Sequence, residues 1–157
     1  MGKKISIDSA TMMNKVFEIM EAKKIFDLNY ETLDILVHPS SYVHAIVNFN
    51  DGMVKIIAHD TNMRIPIFNS LHNSQKKIKT DELNLKKLNF LDLKKVDTDK
   101  FPSIKIIKQL KNNESSLETL IVLANDILVE LFLLKKIYFT DIIRLLQKLI
   151  NLSLIHI

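Results

Sequence analysis

Cysteine and tryptophan are absent from this 157-residue chain, which also holds only 2 glycines and 3 prolines. Without cysteine, disulfides, thiolate metal sites and a cysteine nucleophile are excluded together within these residues. With only Gly2 and Gly52 available, no glycine-rich turn for a dinucleotide phosphate can be written. Long hydrophobic runs are also missing. The most apolar segment, 117–134, is interrupted by Glu118, Asp126 and Glu130, so no spanning helix is predicted. No apolar stretch follows Lys3 and Lys4 closely enough to read as a secretory signal. These absences lead us to expect a soluble, intracellular chain with no membrane partner.

What is present is ample for a core. Hydrophobic residues make up 47% of the chain, and 157 residues suit one domain or a domain and a half. The formal net charge is +4, which suits an anionic ligand without requiring one. Seven lysines, at 76, 77, 79, 86, 87, 94 and 95, punctuate the middle of the chain. A nucleic-acid surface would interleave aromatics among them, and only Phe90 lies there, so a solvated lysine face is expected. A basic module that binds nucleic acid or an acidic partner is the alternative reading, and a remnant that only dimerises is a third.

Periodicity predicts an α+β fold. Lys4–Ile7 reads as a short strand, and a helix capped by Asp8 or Ser9 follows to about Phe26. Leu33–Val37 reads as a buried strand, and His38-Pro39-Ser40-Ser41 as a turn. Tyr42–Phe49 and Met53–His59 bracket Asn50-Asp51-Gly52, a strong hairpin signal because glycine accepts the positive φ such turns need. Strict alternation puts His44 on the face of Tyr42 and Ile46. The four strands would form one small mixed sheet. Further on, a short helix is expected at Arg64–Leu71, a polar loop at 72–82 and an extended piece at Leu88–Leu93. Pro102 starts a helix to about Leu110. A capping box at Ser115 and Glu118 opens a helix to about Lys136, and Thr140 caps a last helix with Ile143, Leu146 and Ile150 on its apolar side.

The most informative stretch is SIDSATMMNKVFEIME at 6–21. Met13, Val16, Phe17 and Met20 recur at helical spacing and predict a buried stripe. Asn14, Glu18 and Glu21 fall on another face with Lys15 beside them. Such a face is ordinarily solvated, and Lys15–Glu18 at i, i+3 could be a surface ion pair worth about 0.2–0.5 kcal/mol. A helix start with hydroxyls nearby also suits a phosphate, and a carboxylate four residues beyond an amide suits a hard cation.

The string KISIDSATMMNK at 4–15, followed by Glu18, resembles the signature of 1-deoxy-D-xylulose 5-phosphate reductoisomerase. HPSSYVHAIVNFNDG at 38–52, NMRIPI at 62–67, LNFLDL at 88–93, FPSIKII at 101–107 and LANDILVELFLLKKIYFTDI at 123–142 follow in that family's order. The resemblance covers about residues 1–150. It implies a bacterial, cytoplasmic homodimer of the non-mevalonate isoprenoid route. That enzyme rearranges 1-deoxy-D-xylulose 5-phosphate and reduces the product with NADPH to 2-C-methyl-D-erythritol 4-phosphate, aided by Mg²⁺ or Mn²⁺ as Lewis acid.

Carried over by motif, Ser9 matches a phosphate-binding serine, and Asn14 and Lys15 match substrate-binding positions. Glu18 matches one of three carboxylate metal ligands and also touches substrate. With Lys15 it forms the expected catalytic pair. Gly2 matches a glycine that approaches the nicotinamide cofactor. His44 is the second histidine of the HPxSxxH pattern, and Met63 matches a residue that covers the substrate. Core or hydrogen-bonded structural roles remain open for both. His38, Ser41 and Glu21 are expected to support the site.

Departures bound the expectation. Val16 stands where the family usually has glycine, and TNMR at 61–64 replaces PDMR. No Asp-x-Glu pair supplies the other two metal carboxylates, and the family's nucleotide-binding part and most of its flap have no counterpart. Met1 is expected to be an internal methionine or a fragment start. The expected division is a catalytic and dimerisation region at 1–75, a lysine-rich connector at 76–100 and a truncated helical region at 101–151. The last residues, LSLIHI at 152–157, read as passage through a sequencing-adapter end. Alone, the chain is expected to be inactive.

Overall fold

A computed structural model describes residues 2–72, 76–82, 84–113 and 116–155. Its elements run α1 (Lys3–Ala10), α2 (Met13–Phe26), a 3-10 turn (Tyr30–Thr32), β1 (Leu36–Val37), β2 (Val43–Asn48), β3 (Val54–Ala58), α3 (Arg64–Leu71), α4 (Leu85–Asn89), β4 (Lys94–Lys95), a 3-10 segment (Pro102–Gln109), α5 (Leu117–Leu133) and α6 (Phe139–Ile155). This is the expected α+β class. The chain divides into two compact units, residues 1–35 with 96–157, and residues 36–95.

The first unit is helical. The predicted stripe of α2 is its centre: Met13 and Val16 are fully buried, Met20 nearly so, and Phe17 packs at the margin. Ile106 from the 3-10 segment, Ile121, Leu128 and Val129 from α5, and Ile142, Leu146 and Ile150 from α6 complete the core. The apolar face read for α6 is therefore correct, with Ile142 added. Its cap differs. Asp141, not Thr140, accepts the backbone N–H of Tyr138 at 3.0 Å, since a carboxylate at the third helical position can reach back to the residue that precedes the helix. That bond, with Arg144 at 2.5 Å, holds the Asp141 carboxyl below its usual range. The predicted capping box at α5 includes Ser115, which lies outside the described residues. Glu118 turns elsewhere, as described below.

The predicted strand at 4–7 is instead the first half of α1. Four alternating residues cannot separate strand from helix, and helical spacing gives Lys4 an ion pair with Asp8 at 2.9 Å. Ile7 packs on the core while Ile5 stays exposed. Asp8 and Ser9 therefore lie inside α1 and do not cap α2, whose N-cap position is Met12. The break read at 27–29 is present, with Asp27 left-handed at φ 52°.

The second unit holds all the described strands, in two antiparallel pairs rather than one mixed sheet: β1 with β4, and β2 with β3. The hairpin forms as predicted. Phe49 donates to the Met53 carbonyl at 2.9 Å, and Gly52 takes φ 87°, a conformation that residues with side chains rarely adopt. The Leu33–Val37 strand shrinks to two paired residues, because its partner is the short Lys94–Lys95 and not the hairpin. Residues 85–89 are helical, so the extended piece expected at Leu88–Leu93 is not found. Among the described residues, no helix is long and apolar enough to cross a membrane.

Candidate functional site

In the helical unit, α1 and α2 meet at a two-residue turn, Thr11-Met12, and the candidate residues are displayed around it. Ser9 is exposed in the last turn of α1, and Gly2 is exposed at its N-cap. Asn14 and Lys15 are half-buried in the first turn of α2, and Glu18 is exposed one turn on. Neither Asn14 nor Glu18 points into the hydrophobic interior. Lys15 Nζ donates to both Glu18 carboxylate oxygens, at 2.9 and 2.7 Å, so the i, i+3 ion pair is formed. In water such a pair contributes little. Its chemical meaning is that an ammonium and a carboxylate lie side by side on one accessible face. Glu21, on the next turn, is also exposed.

Beneath the turn the contacts are buried and polar. Met12 is left-handed at φ 58° although it carries a side chain, a conformation that costs roughly 1–2 kcal/mol. Thr11 bridges the two helices: its hydroxyl donates to the Ile7 carbonyl at 2.9 Å. Ser103 donates to the Thr11 carbonyl at 2.5 Å. Asp8 is buried, and its carboxylate accepts Lys4 Nζ at 2.9 Å and the Asn125 amide at 2.8 Å. Sequence reading missed Asp8, Ser103 and Asn125 as supports, because the two latter lie about a hundred residues away in the chain.

A second buried polar cluster stands apart from this turn. Glu118 is buried, accepts the Tyr30 hydroxyl and pairs with Lys24 Nζ at 3.0 Å. Burial pushes the Glu118 carboxyl up, but the Tyr30 hydroxyl and the Lys24 ammonium together outweigh it and leave the carboxyl below its usual range. Burial, and then the Glu118 carboxylate, push the Tyr30 hydroxyl well above its ordinary value.

In the strand-bearing unit, His44 is the extra residue of a bulge, since Val43 pairs with Ala58 and Ala45 with Ile57. The strict alternation that would group it with Tyr42 and Ile46 therefore breaks here. His44 is exposed, its Nε2 lies 3.1 Å from the His59 carbonyl, and its ring stacks on His59 at 3.7 Å. His38 closes the 38–43 turn: Nδ1 is 3.0 Å from Ser40 Oγ, and Nε2 accepts the Val43 N–H at 3.1 Å. Ser41 is left-handed within that turn. Met63 is 65% exposed and is not part of the neighbouring cleft, about 610 Å³, that Asn62, Arg64, Phe68 and Lys79 help to line.

The described residues do not by themselves fit a divalent cation. Hard cations take roughly six to eight oxygen ligands, Glu18 offers one carboxylate, and no three His, Cys, Asp or Glu converge among the described residues.

Two family profiles match: DXP reductoisomerase C-terminal domain over residues 59–156, and 1-deoxy-D-xylulose 5-phosphate reductoisomerase C-terminal domain over residues 1–26. The 1-deoxy-D-xylulose 5-phosphate reductoisomerase of Pelagibacter ubique (strain HTCC1062) is 61% identical over 152 residues, 96% of this chain and 39% of that protein. The protein of that name from Sulfurihydrogenibium sp. (strain YO3AOP1) is 41% identical, over 90% of this chain and 38% of its own length. Among solved structures, the reductoisomerase from Zymomonas mobilis in complex with NADPH superposes with a TM-score of 0.85 at 35% identity, covering 94% of this chain and 39% of that one. A DOX-P reductoisomerase with NADPH, fosmidomycin and magnesium gives 0.83 at 36% identity, covering 96% and 37%. The chain thus spans well under half the length of the relatives it matches. On these matches, together with the α1–α2 motif, this chain belongs to the 1-deoxy-D-xylulose 5-phosphate reductoisomerase family.

Proposed function

We propose that this chain is the substrate-binding and helical part of an enzyme that converts 1-deoxy-D-xylulose 5-phosphate to 2-C-methyl-D-erythritol 4-phosphate. The observation that carries this reading is the display of Ser9, Asn14, Lys15 and Glu18 around one braced turn between α1 and α2. The Ser9 hydroxyl and Asn14 amide donate to substrate oxygens, and the Lys15 ammonium adds a point charge suited to a phosphorylated sugar. Glu18 would be one ligand of a Mg²⁺ or Mn²⁺ ion whose other ligands would come from outside these residues. Lys15 and Glu18 neutralise one another, so a cation held by the carboxylate would leave the ammonium available to an anion. When bound, the metal supplies Lewis acidity and NADPH supplies hydride.

Gly2 is the point of approach for the nicotinamide cofactor, and His44 and Met63 contribute to the substrate pocket, with His38, Ser41 and Glu21 in support. The working enzyme is a cytoplasmic homodimer. The isolated chain is inactive, because one carboxylate cannot hold the cation and no dinucleotide-binding turn is present. Two of the seven lysines are engaged by carboxylates, Lys87 with Asp60 at 2.6 Å and Lys94 with Asp92 at 2.7 Å, which lessens the positive charge a nucleic-acid module would use.

The test is a chimera in which the N-terminal portion of the Pelagibacter ubique relative precedes this chain. Expected is NADPH oxidation that needs both 1-deoxy-D-xylulose 5-phosphate and Mg²⁺, with none from the isolated chain. A folded, dimeric chimera without that activity contradicts the reading.

A further inference from the structure

Five polar residues are buried among those described, and four of them, Asp8, Thr11, Ser103 and Asn125, meet beneath the turn that displays the candidate site. We propose that Asn125 and Ser103 are positioning residues: from α5 and the 3-10 segment they grip the α1–α2 turn and so fix the relative placement of Ser9 and the Asn14–Glu18 group. The inference rests on the functional reading above.

Three observations argue for positioning over simple stability. First, Asp8 is a carboxylate in the last turn of a helix, where the macrodipole disfavours negative charge, and it is buried as well. A core residue of similar size would avoid both penalties. Second, Asn125 is fully buried and spends only one half of its amide. Its Nδ2 donates to Asp8, while its Oδ1 has no hydrogen-bond partner among the described residues. Leaving a buried amide oxygen unpaired costs stability, so Asn125 is not explained by its own contribution to folding. Third, the two contacts fall on either side of one turn, Asn125 on Asp8 in the last turn of α1 and Ser103 on Thr11 within the turn itself. Ser103 holds the Thr11 carbonyl, the Thr11 hydroxyl holds the end of α1, and the Thr11 oxygen lies 3.5 Å from the Met13 N–H that opens α2. The next residue is the left-handed Met12. Rotating this turn would move Ser9 against Asn14, Lys15 and Glu18, which sit on opposite sides of it. Lys4 extends the grip by bridging Asp8 to Asp126 on α5 at 3.0 Å.

The experiment uses the active chimera, with kcat, KM for the sugar phosphate and the thermal transition measured for each variant. Asn125→Leu should lower kcat on the order of a hundredfold, the size of effect that a misplacement of about 1 Å produces. Ser103→Ala, a change too small to threaten folding, should lower kcat about tenfold. Asp8→Asn keeps an oxygen that accepts from Asn125 and should stay within about threefold of the parent. Gln109→Leu, at a half-buried amide of the same unit whose oxygen is also unpaired among the described residues, should leave kcat unchanged. If Asn125→Leu does not fold, Ser103→Ala decides. The proposal is overturned if Ser103→Ala and every folded Asn125 variant keep parental kcat, or if kcat merely tracks the thermal transition through Gln109→Leu as well. An inactive parent chimera instead contradicts the functional reading.

Discussion

The two units differ sharply in what they bury. The helical unit has a continuous core from α2, α5, α6 and the 3-10 segment, with buried polar clusters set into it. In the strand-bearing unit Tyr42 is the one buried side chain among the described residues, while Val47, Phe49, Met53, Val54, Ile56 and Ile57 are each over 40% exposed. A two-stranded ribbon is marginal in water without cover on one face. The lesson is that the helical unit carries its own stability, whereas the ribbon depends on what covers it. Of the residues proposed to bind the phosphorylated sugar, Ser9, Asn14, Lys15 and Glu18 are mounted on the unit with the continuous core, whereas His44 and Met63 belong to the other.

The largest effect expected from this contrast is in the core. Leu146→Ala removes a fully buried side chain and should destabilise the chain by about 2–5 kcal/mol in denaturant unfolding. An effect below about 1 kcal/mol would mean the helical core is not the stabilising element. Tyr30→Phe leaves the buried Glu118 carboxylate with Lys24 but without its hydroxyl donor, and should cost about 1–3 kcal/mol.

The same cluster makes a pH test. The folded Glu118 carboxyl lies below its ordinary value of 4.5. Its stabilisation is therefore complete above that pH and fades as pH falls through the lower folded value. Unfolding midpoints taken from pH 7 downward should drop on the acid side, and Glu118→Gln should flatten that drop. The raised Tyr30 hydroxyl has the opposite sense: its stabilisation is complete below its ordinary value of 10.0 and is lost as pH rises further. The smallest effect belongs to the ribbon. Ile56→Ala on the isolated chain should change stability by less than about 0.5 kcal/mol. A loss comparable to Leu146→Ala would erase the distinction between the units.

Local signals made much of this legible. The stripe of α2, the Asn50-Asp51-Gly52 hairpin and the apolar face of α6 all follow from periodicity or from one turn residue, and each lies where expected. The Lys15–Glu18 pair follows from spacing alone. What failed depended on distant partners. Helix α1 looked like a strand because Ile5 and Ile7 alternate, yet its register is fixed by Asp8 meeting Asn125, 117 residues away. The bulge at His44 has no glycine or proline to announce it. Ser103 and Asn125 read as an ordinary serine after proline and an ordinary amide in an apolar helix, and only tertiary packing brings them under the turn.

The most direct test of the account is Glu18→Gln in the active chimera. The substitution keeps size and helix but removes the one carboxylate this chain offers the proposed site. Expected is a fall in kcat/KM on the order of a thousandfold or more, with the thermal transition unchanged because Glu18 is exposed. Turnover near the parental level in a folded Glu18→Gln chimera contradicts the account.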